Sequence, residues 1–493
     1  MIEAAVEQPE AQVGWLHPST ARRSRADNDE VRYRQAVDHN PRDAVAHNNL
    51  GWALQMRGDS AGAVANYRLA YDLDPSLTTA RRNLATLLVT LGRPAESFAL
   101  WHEEISSGES GREWIETLVS NAMHQNDLTL AGEYATLLAQ LRWGTPWYPK
   151  DSGDPPLPLP VDPPQLFLTI PKLRHDIEQF QYLQERNLIG NDFSDVIREY
   201  ERVIEALSSR GTEARIPLDP VEHQAIVQVY NRISHLARVP RISGSPWGDW
   251  DPRDVEQQYL DRPLGLVIVD NFLSEEALEG VRQFCLESTI WSANRYAHGR
   301  LGSFFHDGFT TPLLLQLAEE LRRVMPRVII DRYPLRQMWG FKNGEFLPAG
   351  STVHADFAAV NVNFWITPDD ANLDPESGGL IVYDVDAPLS WDFATYNGRP
   401  DLIKPFLEQQ HAKKITIPYR ANRAIIFNSD LFHASAGLRF KPGYQNRRIN
   451  VTMLYGNREG DVHHREISRA DGPDGAGAWA GAWRSAAFRT ARG

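Results

Sequence analysis

The sequence predicts a multidomain α + β protein: an N-terminal α-helical domain, a helical connector and a C-terminal domain of short strands. Three observations predict this architecture. The chain has 493 residues, more than one hydrophobic core usually organises. A 34-residue repeat occupies its N-terminal part, and short β-branched segments separated by turn residues begin near Gly265. The net charge is −13 with no basic stripe, so nucleic acid is not expected as a partner.

The repeat is visible as identities at a constant offset. Pro41 and Pro75 are 34 residues apart, and the same offset relates Asn49 to Asn83, Leu50 to Leu84, Gly58 to Gly92 and Tyr67 to Trp101. This period is typical of two antiparallel helices, in which small residues such as Gly51 and Ala63 let the helices approach while Tyr67 fills the gap. The segment resembles tetratricopeptide-repeat proteins, whose arrays commonly bind peptides or proteins.

Composition and periodicity divide the rest of the chain. The repeat array is predicted over residues 29–142, with three or four units, about the minimum for a stable stack. The predicted segments that follow are a Pro-rich linker (143–165), a helical connector (166–245), a strand-rich domain (258–460) and an Ala/Gly-rich tail (461–493). The sequence leaves open whether the connector is a lid over a site or a spacer.

The strand-rich domain contains many short segments with turn chemistry between them. This pattern indicates an antiparallel sandwich or barrel rather than a parallel sheet. Between two of these segments, Ser274 is predicted to cap a helix by accepting from the Ala277 amide. The predicted strands are Gly265–Asp270, Arg336–Lys342, Val360–Ile366, Gly379–Tyr383, Lys414–Ile417, Arg423–Phe427 and Arg448–Tyr455.

Three side chains of this domain form a candidate metal site. His354 and Asp356 are two residues apart, which on a strand points both to one face. His433 follows well downstream. Two histidines and one carboxylate are the facial triad that binds non-haem Fe(II) with open coordination positions. Two other His-x-Glu pairs, beginning at His102 and His464, lack strand context and are set aside.

The surroundings of the triad carry a family resemblance. The His-x-Asp pair is followed by a strand, a Gly378-Gly379 turn into another strand, a strand leading to His433, and a last strand with basic residues. This order resembles the Fe(II)/2-oxoglutarate-dependent dioxygenases, of the prolyl-hydroxylase-like kind, over about residues 263–456. The resemblance implies a double-stranded β-helix (jelly-roll, cupin-like) that uses Fe(II), 2-oxoglutarate and O2. It implies that His354, Asp356 and His433 are the metal ligands and catalytic residues.

The resemblance also implies an anchor for the distal carboxylate of 2-oxoglutarate on the last strand. Arg448 fits the family pattern with Asn450 and Thr452, whereas the apolar alternation of that strand would place Arg447 inward. We favour Arg448, and the alternative stays open. Asn363, on the strand after the metal pair, is the predicted second contact to the co-substrate.

The resulting hypothesis is a hydroxylase acting on a peptide or protein side chain that the repeats recruit. In the family that the sequence resembles, halogenating members have a small residue in place of this carboxylate, so the resemblance and the presence of Asp356 together imply hydroxylation. Two alternatives are a small-molecule hydroxylase whose repeats serve dimerisation or docking, and a non-catalytic repeat scaffold with a metal-binding β-domain. With Cys285 as its single cysteine, no secretory signal and no membrane-length apolar segment, the chain is expected to be cytoplasmic, possibly as a homodimer.

Overall fold

A computed structural model of the chain describes residues 20–91, 93, 96, 100, 110–143, 167–208, 216–219, 223–227, 229–294, 299–348 and 353–458. The chain divides into two compact units, with the division between Trp114 and Ile115. The predicted Pro-rich linker and the predicted tail fall almost wholly outside the described residues.

The first unit is a succession of antiparallel helices: α1 (Thr20–His39), α2 (Ala44–Arg57), α3 (Ser60–Leu73) and α4 (Thr78–Thr90). The Asp43 side chain caps α2 by accepting from the Ala46 amide at 3.0 Å, and Asp59 caps α3 in the same way. Gly58 ends α2 in the left-handed region, at φ 89°, where a side chain would be strained. These signals produce the predicted helix pair.

Close packing of α2 on α3 depends on one glycine. A Cβ atom at Gly51 would lie 2.7 Å from Tyr67 Cδ1, so only glycine leaves room for the ring. Tyr67 and Ala63 are fully buried, as is most of Leu50. The packing predicted from the repeat is therefore confirmed.

The second unit begins with helices and continues into the strands. Helix α6 contacts α12, since a Cβ at Gly132 would meet Leu315. The connector pairs α7 with α8 around a shared core that includes Phe180 and Tyr200. The predicted domain boundaries stay predictions. The helices are α5 (Ser110–His124), α6 (Leu128–Trp143), α7 (Ile170–Glu185), α8 (Phe193–Ser208), α9 (Gln224–Val227), α10 (Pro252–Asp261), α11 (Glu275–Glu287), α12 (Pro312–Val324), α13 (Phe393–Gly398) and α14 (Pro400–Gln409).

Two antiparallel sheets dominate this unit. The major sheet has six strands in the order β3-β10-β7-β13-β5-β4, and the minor sheet has three in the order β11-β8-β9. Short pairs β1-β2 and β12-β6 complete the set. The strands are β1 (Phe167–Leu168), β2 (Ile216–Pro217), β3 (Leu266–Val269), β4 (Leu301–Phe304), β5 (Leu335–Lys342), β6 (Phe346–Leu347), β7 (Val360–Trp365), β8 (Leu380–Asp386), β9 (Lys414–Ile417), β10 (Ala424–Asn428), β11 (Leu431–Ser435), β12 (Leu438–Arg439) and β13 (Ile449–Tyr455).

The two sheets pack face to face around one apolar core. Trp365 and Phe427 of the major sheet meet Val382 and Leu431 of the minor sheet. Helices α13 and α14 cover the outer face of the minor sheet. On the outer face of the major sheet, the Tyr455 hydroxyl donates to a carbonyl of α12. Helical repeats followed by an antiparallel β-sandwich confirm the predicted fold class.

The seven predicted strands are all present, with bounds shifted by three residues or fewer. Ser274 caps α11 as expected, accepting from the Ala277 amide at 3.2 Å. Strands β4 and β11 were not predicted, because neither short segment contains a β-branched residue, and the two-residue strands β1, β2, β6 and β12 were not predicted either. No helix among the described residues combines the length and apolar character needed to cross a membrane.

We expect Gly51→Val to destabilise the first unit, because the larger side chain overlaps the Tyr67 ring. Overpacking of this kind costs about 1–3 kcal/mol. Hydrogen exchange of the full chain, followed by mass spectrometry, should show faster exchange of the α2 and α3 amides. Ala65→Val is the matched control, since Ala65 is exposed on α3. Equal exchange in the two variants would contradict the close-packing role of Gly51.

Candidate metal centre

Backbone hydrogen bonds hold the segment that carries His354 and Asp356. The His354 amide donates to the His433 carbonyl at 3.0 Å, and the His433 amide donates back at 2.8 Å. The Asp356 amide donates to the Ser429 carbonyl. The strand expected at this segment is reduced to a single β-bridge, between His354 and His433. That bridge joins the two parts of the triad directly.

The three side chains converge. Their ligand atoms all lie within 4.8 Å of one another, the only such group of three or more potential ligands among the described residues. Nε2 of His354 is 3.8 Å from Asp356 Oδ1, and Nε2 of His433 is 3.4 Å from Asp356 Oδ2. Asp356 and His433 are buried, whereas the His354 side chain is 22% exposed. The centre is therefore accessible from one side.

Neighbouring groups orient the ligands. His433 Nδ1 lies 3.0 Å from the Leu431 carbonyl, to which it donates when Nε2 carries the free lone pair that a metal needs. The Asn361 side chain donates to Asp356 Oδ2 at 2.8 Å. Burial raises the pKa of the Asp356 carboxyl, but the hydrogen bond and charge of His433 and the charge of His354 outweigh it, so the pKa lies below its usual value. The carboxylate form is the one that binds a cation.

Strand β13 places Arg448 between the sheets. The side chain is buried, and its Nε donates to the Gly378 carbonyl at 2.5 Å while an Nη donates to Asn450 Oδ1 at 3.1 Å. The guanidinium lies over the Trp365 ring, 5.5 Å from its centroid. Burial lowers the pKa of Arg448 to about 10, so it stays cationic at neutral pH. The contacts above and one to Gly379 use three of its five N–H groups, which leaves two for a ligand.

Arg447 points the other way. Its Nε pairs with Glu178 of the connector helix α7 at 2.8 Å, on the outer face of the major sheet. The apolar residues Ile449, Val451 and Met453 share this outer face, which is buried under helices and not turned to the metal. Apolar residues do alternate along this strand, as the sequence indicates, but the apolar face is the outer one, so Arg447 faces outward with them.

Strand β7 lines the interior from the triad towards Arg448. In the register of the sheet, Asn363 lies opposite Thr452 and Trp365 opposite Asn450, so all four share one face. Asn363 donates to the Thr452 hydroxyl at 2.9 Å. Three buried atoms on this face have no hydrogen-bond partner in the part of the chain that the structure describes: Asn361 Oδ1, Asn363 Oδ1 and Trp365 Nε1. Buried polar atoms are rarely left unpaired, so these atoms fit a polar ligand.

Strands β4 and β5 extend the same face with aromatic rings. The register places Phe304 opposite Trp339, and Trp339 opposite Thr452. Phe304, Trp339 and Phe341, here called the aromatic wall, are 5.9–6.3 Å apart between ring centroids. They belong to one apolar cluster with Phe357, the neighbour of Asp356 in the chain.

One interior residue, Arg300, was missed from the sequence, and Asn361 was noted there without being chosen. Asn361 contacts the metal pair, although Asn363 was the residue singled out on that strand. Arg300 stacks on Phe341 at 4.0 Å, and its charge lowers the pKa of both Asp356 and Arg448. Arg300 immediately precedes the unpredicted strand β4, so no pattern marked it, whereas the alternation of Asn361 with Asn363 and Trp365 was visible.

The residues present fit a divalent metal and a dicarboxylate. Two imidazoles and one carboxylate are the donor set of non-haem Fe(II). Arg448, with two spare donors and the unpaired Trp365 Nε1 beside it, suits a carboxylate. Asn361 and Trp365 are four residues apart, about 13 Å along a strand, so the metal site and the cationic site lie at two ends of one interior face.

Comparisons with known proteins gave a family-model match and a set of similar solved structures. Residues 33–65 match a tetratricopeptide-repeat family model. No curated protein sequence matches the chain. Among solved structures, similarity is found to the non-haem α-ketoglutarate-dependent carbocyclase SnoK from nogalamycin biosynthesis, at 12% identity and a TM-score of 0.29, covering 45% of this chain and 94% of that one.

Two further structures are similar at the same level. A prolyl-4-hydroxylase from Pseudomonas putida has 12% identity and a TM-score of 0.25, covering 42% of this chain and 99% of that one. HygX from Streptomyces hygroscopicus, with nickel, 2-oxoglutarate and hygromycin B bound, has 16% identity and a TM-score of 0.26, covering 41% and 86%. The chain resembles tetratricopeptide-repeat proteins in its N-terminal part and Fe(II)/2-oxoglutarate-dependent dioxygenases in its C-terminal part.

Proposed function

We propose that this protein is an Fe(II)- and 2-oxoglutarate-dependent oxygenase that hydroxylates its substrate. One observation carries the proposal: the ligand atoms of His354, Asp356 and His433 converge within 4.8 Å on the interior face that also holds Arg448. When bound, the iron and 2-oxoglutarate supply the oxidising chemistry, coupling decarboxylation of the co-substrate to succinate with oxygen transfer from O2.

The residues of the chain bind the metal and the co-substrate, orient them and exclude water from the site. His354, Asp356 and His433 hold the metal, and Asn361 fixes the orientation of the Asp356 carboxylate through its 2.8 Å hydrogen bond. Arg448 binds the distal carboxylate of 2-oxoglutarate, a group that matches the planar fork of a guanidinium. Asn363, the predicted second contact, is held by Thr452 on the same face. The apolar core on either side keeps the interior dry.

The triad is tested by removing one ligand. We expect His433→Ala to abolish succinate formation. Loss of a residue that only orients a metal ligand lowers metal affinity or activity about 10–100-fold, and loss of the ligand itself is more severe. The readouts are succinate release and the weak charge-transfer absorption of anaerobic protein with Fe(II) and 2-oxoglutarate. His411→Gln is the control, an exposed histidine elsewhere on the domain.

Either of two results would overturn this assignment. One is succinate formation by His433→Ala at the wild-type rate. The other is no charge-transfer absorption in the wild type at saturating Fe(II) and 2-oxoglutarate, which would leave the β-domain as a non-catalytic metal-binding scaffold.

Two adjacent arginines provide a matched test of the co-substrate site. We expect Arg448→Gln to raise the KM for 2-oxoglutarate about 10- to 150-fold, the value of one or two hydrogen bonds to a charged group. Arg447→Gln should leave KM unchanged, since that side chain pairs with Glu178. Wild type should prefer 2-oxoglutarate over 2-oxovalerate, which lacks the distal carboxylate, and Arg448→Gln should lose this preference. A preserved preference would mean that Arg448 is structural only.

For the substrate, we propose a peptide or protein side chain. The tetratricopeptide-repeat match at residues 33–65 supports this class, since such repeats present surfaces for protein segments. The aromatic wall would contact the substrate, because it continues the interior face beyond the metal ligands and leaves Phe304 and Phe341 partly exposed. Aromatic side chains bury large areas against a bound chain at low entropic cost.

We expect peptides from a digested cell lysate to gain the mass of one oxygen atom when incubated with the enzyme, Fe(II) and 2-oxoglutarate. Phe304→Ala should reduce this gain several-fold while leaving substrate-free decarboxylation of 2-oxoglutarate intact. Phe346→Ala is the control, since Phe346 is 66% exposed and outside the wall. No gain on peptides or intact proteins, with a gain on a small-metabolite extract, would instead favour the small-molecule hydroxylase.

A further inference from the structure

A second polar pocket lies on the outer side of the major sheet. Helix α7, the segment 229–232 and the segment 289–292 line a small cavity of about 10 Å³, room for one group of about the size of a water molecule, and its mouth is open to solvent. Its polar lining consists of Lys172, Asp176, Gln179, Asn231, Arg232 and Ser292, together with Thr289. Trp291 closes one side and separates the pocket from the sheet, since its ring also contacts Lys342 of β5. None of these residues belongs to the metal centre.

Arg232 is the unusual member of this lining. The residue is only 4% exposed, and its Nη2 is buried without a hydrogen-bond partner among the described residues. Asn231 Oδ1 and Ser292 Oγ are likewise buried and unpaired within that part of the chain. Burial lowers the pKa of Arg232. An isolated buried guanidinium is unfavourable unless an opposite charge accompanies it.

The carboxylates nearby are already used. Asp176 accepts from Lys172 Nζ at 2.6 Å and lies 2.9 Å from His175 Nδ1. Glu178 pairs with Arg447. The buried Lys342 is held by the Cys285 carbonyl and the Tyr444 hydroxyl. Both carboxylates are therefore paired with other cations, and Arg232 forms no ion pair with any residue that the structure describes.

We propose that this pocket binds one small inorganic anion, a halide or a small oxyanion, between Arg232 and Ser292. The guanidinium and the hydroxyl both offer donors, and the Asn231 amide offers another when its O and N are exchanged by a flip. A water molecule would satisfy the hydrogen bonds but not the charge. The anion would join α7 to the two segments opposite it, and so attach the connector to the β-domain.

The proposal is tested with bromide and with phosphate as separate probes, each replacing gluconate at constant ionic strength. We expect one of them to raise the unfolding midpoint of the full-length protein in a saturable way, by about 2–4 °C. Arg232→Met should lose this response. Arg241→Gln, which removes an exposed arginine paired with Glu319, should keep it. Bromide acting alone identifies a halide site, and phosphate acting identifies an oxyanion site.

Equal responses of wild type and Arg232→Met to both probes would overturn the proposal, as would no response of the wild type to either. If Arg232→Met does not fold, crystals of the wild type grown with bromide or with selenate, which stands in for an oxyanion, decide the question. An anomalous peak within hydrogen-bonding distance of Arg232 Nη2 supports the site. Density for water alone, in both cases, refutes it.

Discussion

The register of β13 is the constraint on which the second unit depends. This strand pairs with β7 on one side and β5 on the other, so two sets of backbone hydrogen bonds fix which of its side chains face the interior. One face presents Arg448, Asn450 and Thr452 to the interior. The other face presents Ile449, Val451 and Met453 to the helices. A shift by one residue would exchange Arg448 with Arg447 and turn the apolar face towards the site, so the packing of the helices and the position of the guanidinium are secured by the same hydrogen bonds.

The candidate metal centre depends on a second, smaller pairing. His354 and His433 exchange both backbone hydrogen bonds, although the segment around His354 forms no continuous strand. A single bridge positions the two imidazoles because the rest of the segment is buried, with Val353 and Ala355 in the core under α13 and α14. The two imidazoles are thus held by packing on one side and by β11 on the other. The exposed side of His354 stays accessible from solvent.

Much of this architecture could be predicted from the sequence because it rests on local patterns. The period of 34 residues, the β-branched strands and the order of His354, Asp356 and His433 are all readable along the chain. The face occupied by Arg448 was predicted from resemblance against the alternation of apolar residues, since the sequence does not say whether helices or the opposite sheet cover an apolar face. Asn361, Arg300 and the pocket at Arg232 depend on contacts between distant segments, and no spacing in the chain reveals such contacts.

The turn at Gly378 and Gly379 has a consequence for how this chain can vary. Gly378 has φ 79°, and a Cβ at Gly379 would overlap the carbonyl of Ile417, so neither position accepts a side chain. Their two carbonyl groups accept hydrogen bonds from Arg448. The orientation of the guanidinium is therefore set by main-chain carbonyl groups and not by side chains. A substitution at either glycine would shift these carbonyl groups, and with them the Arg448 guanidinium, although Arg448 itself would be unchanged.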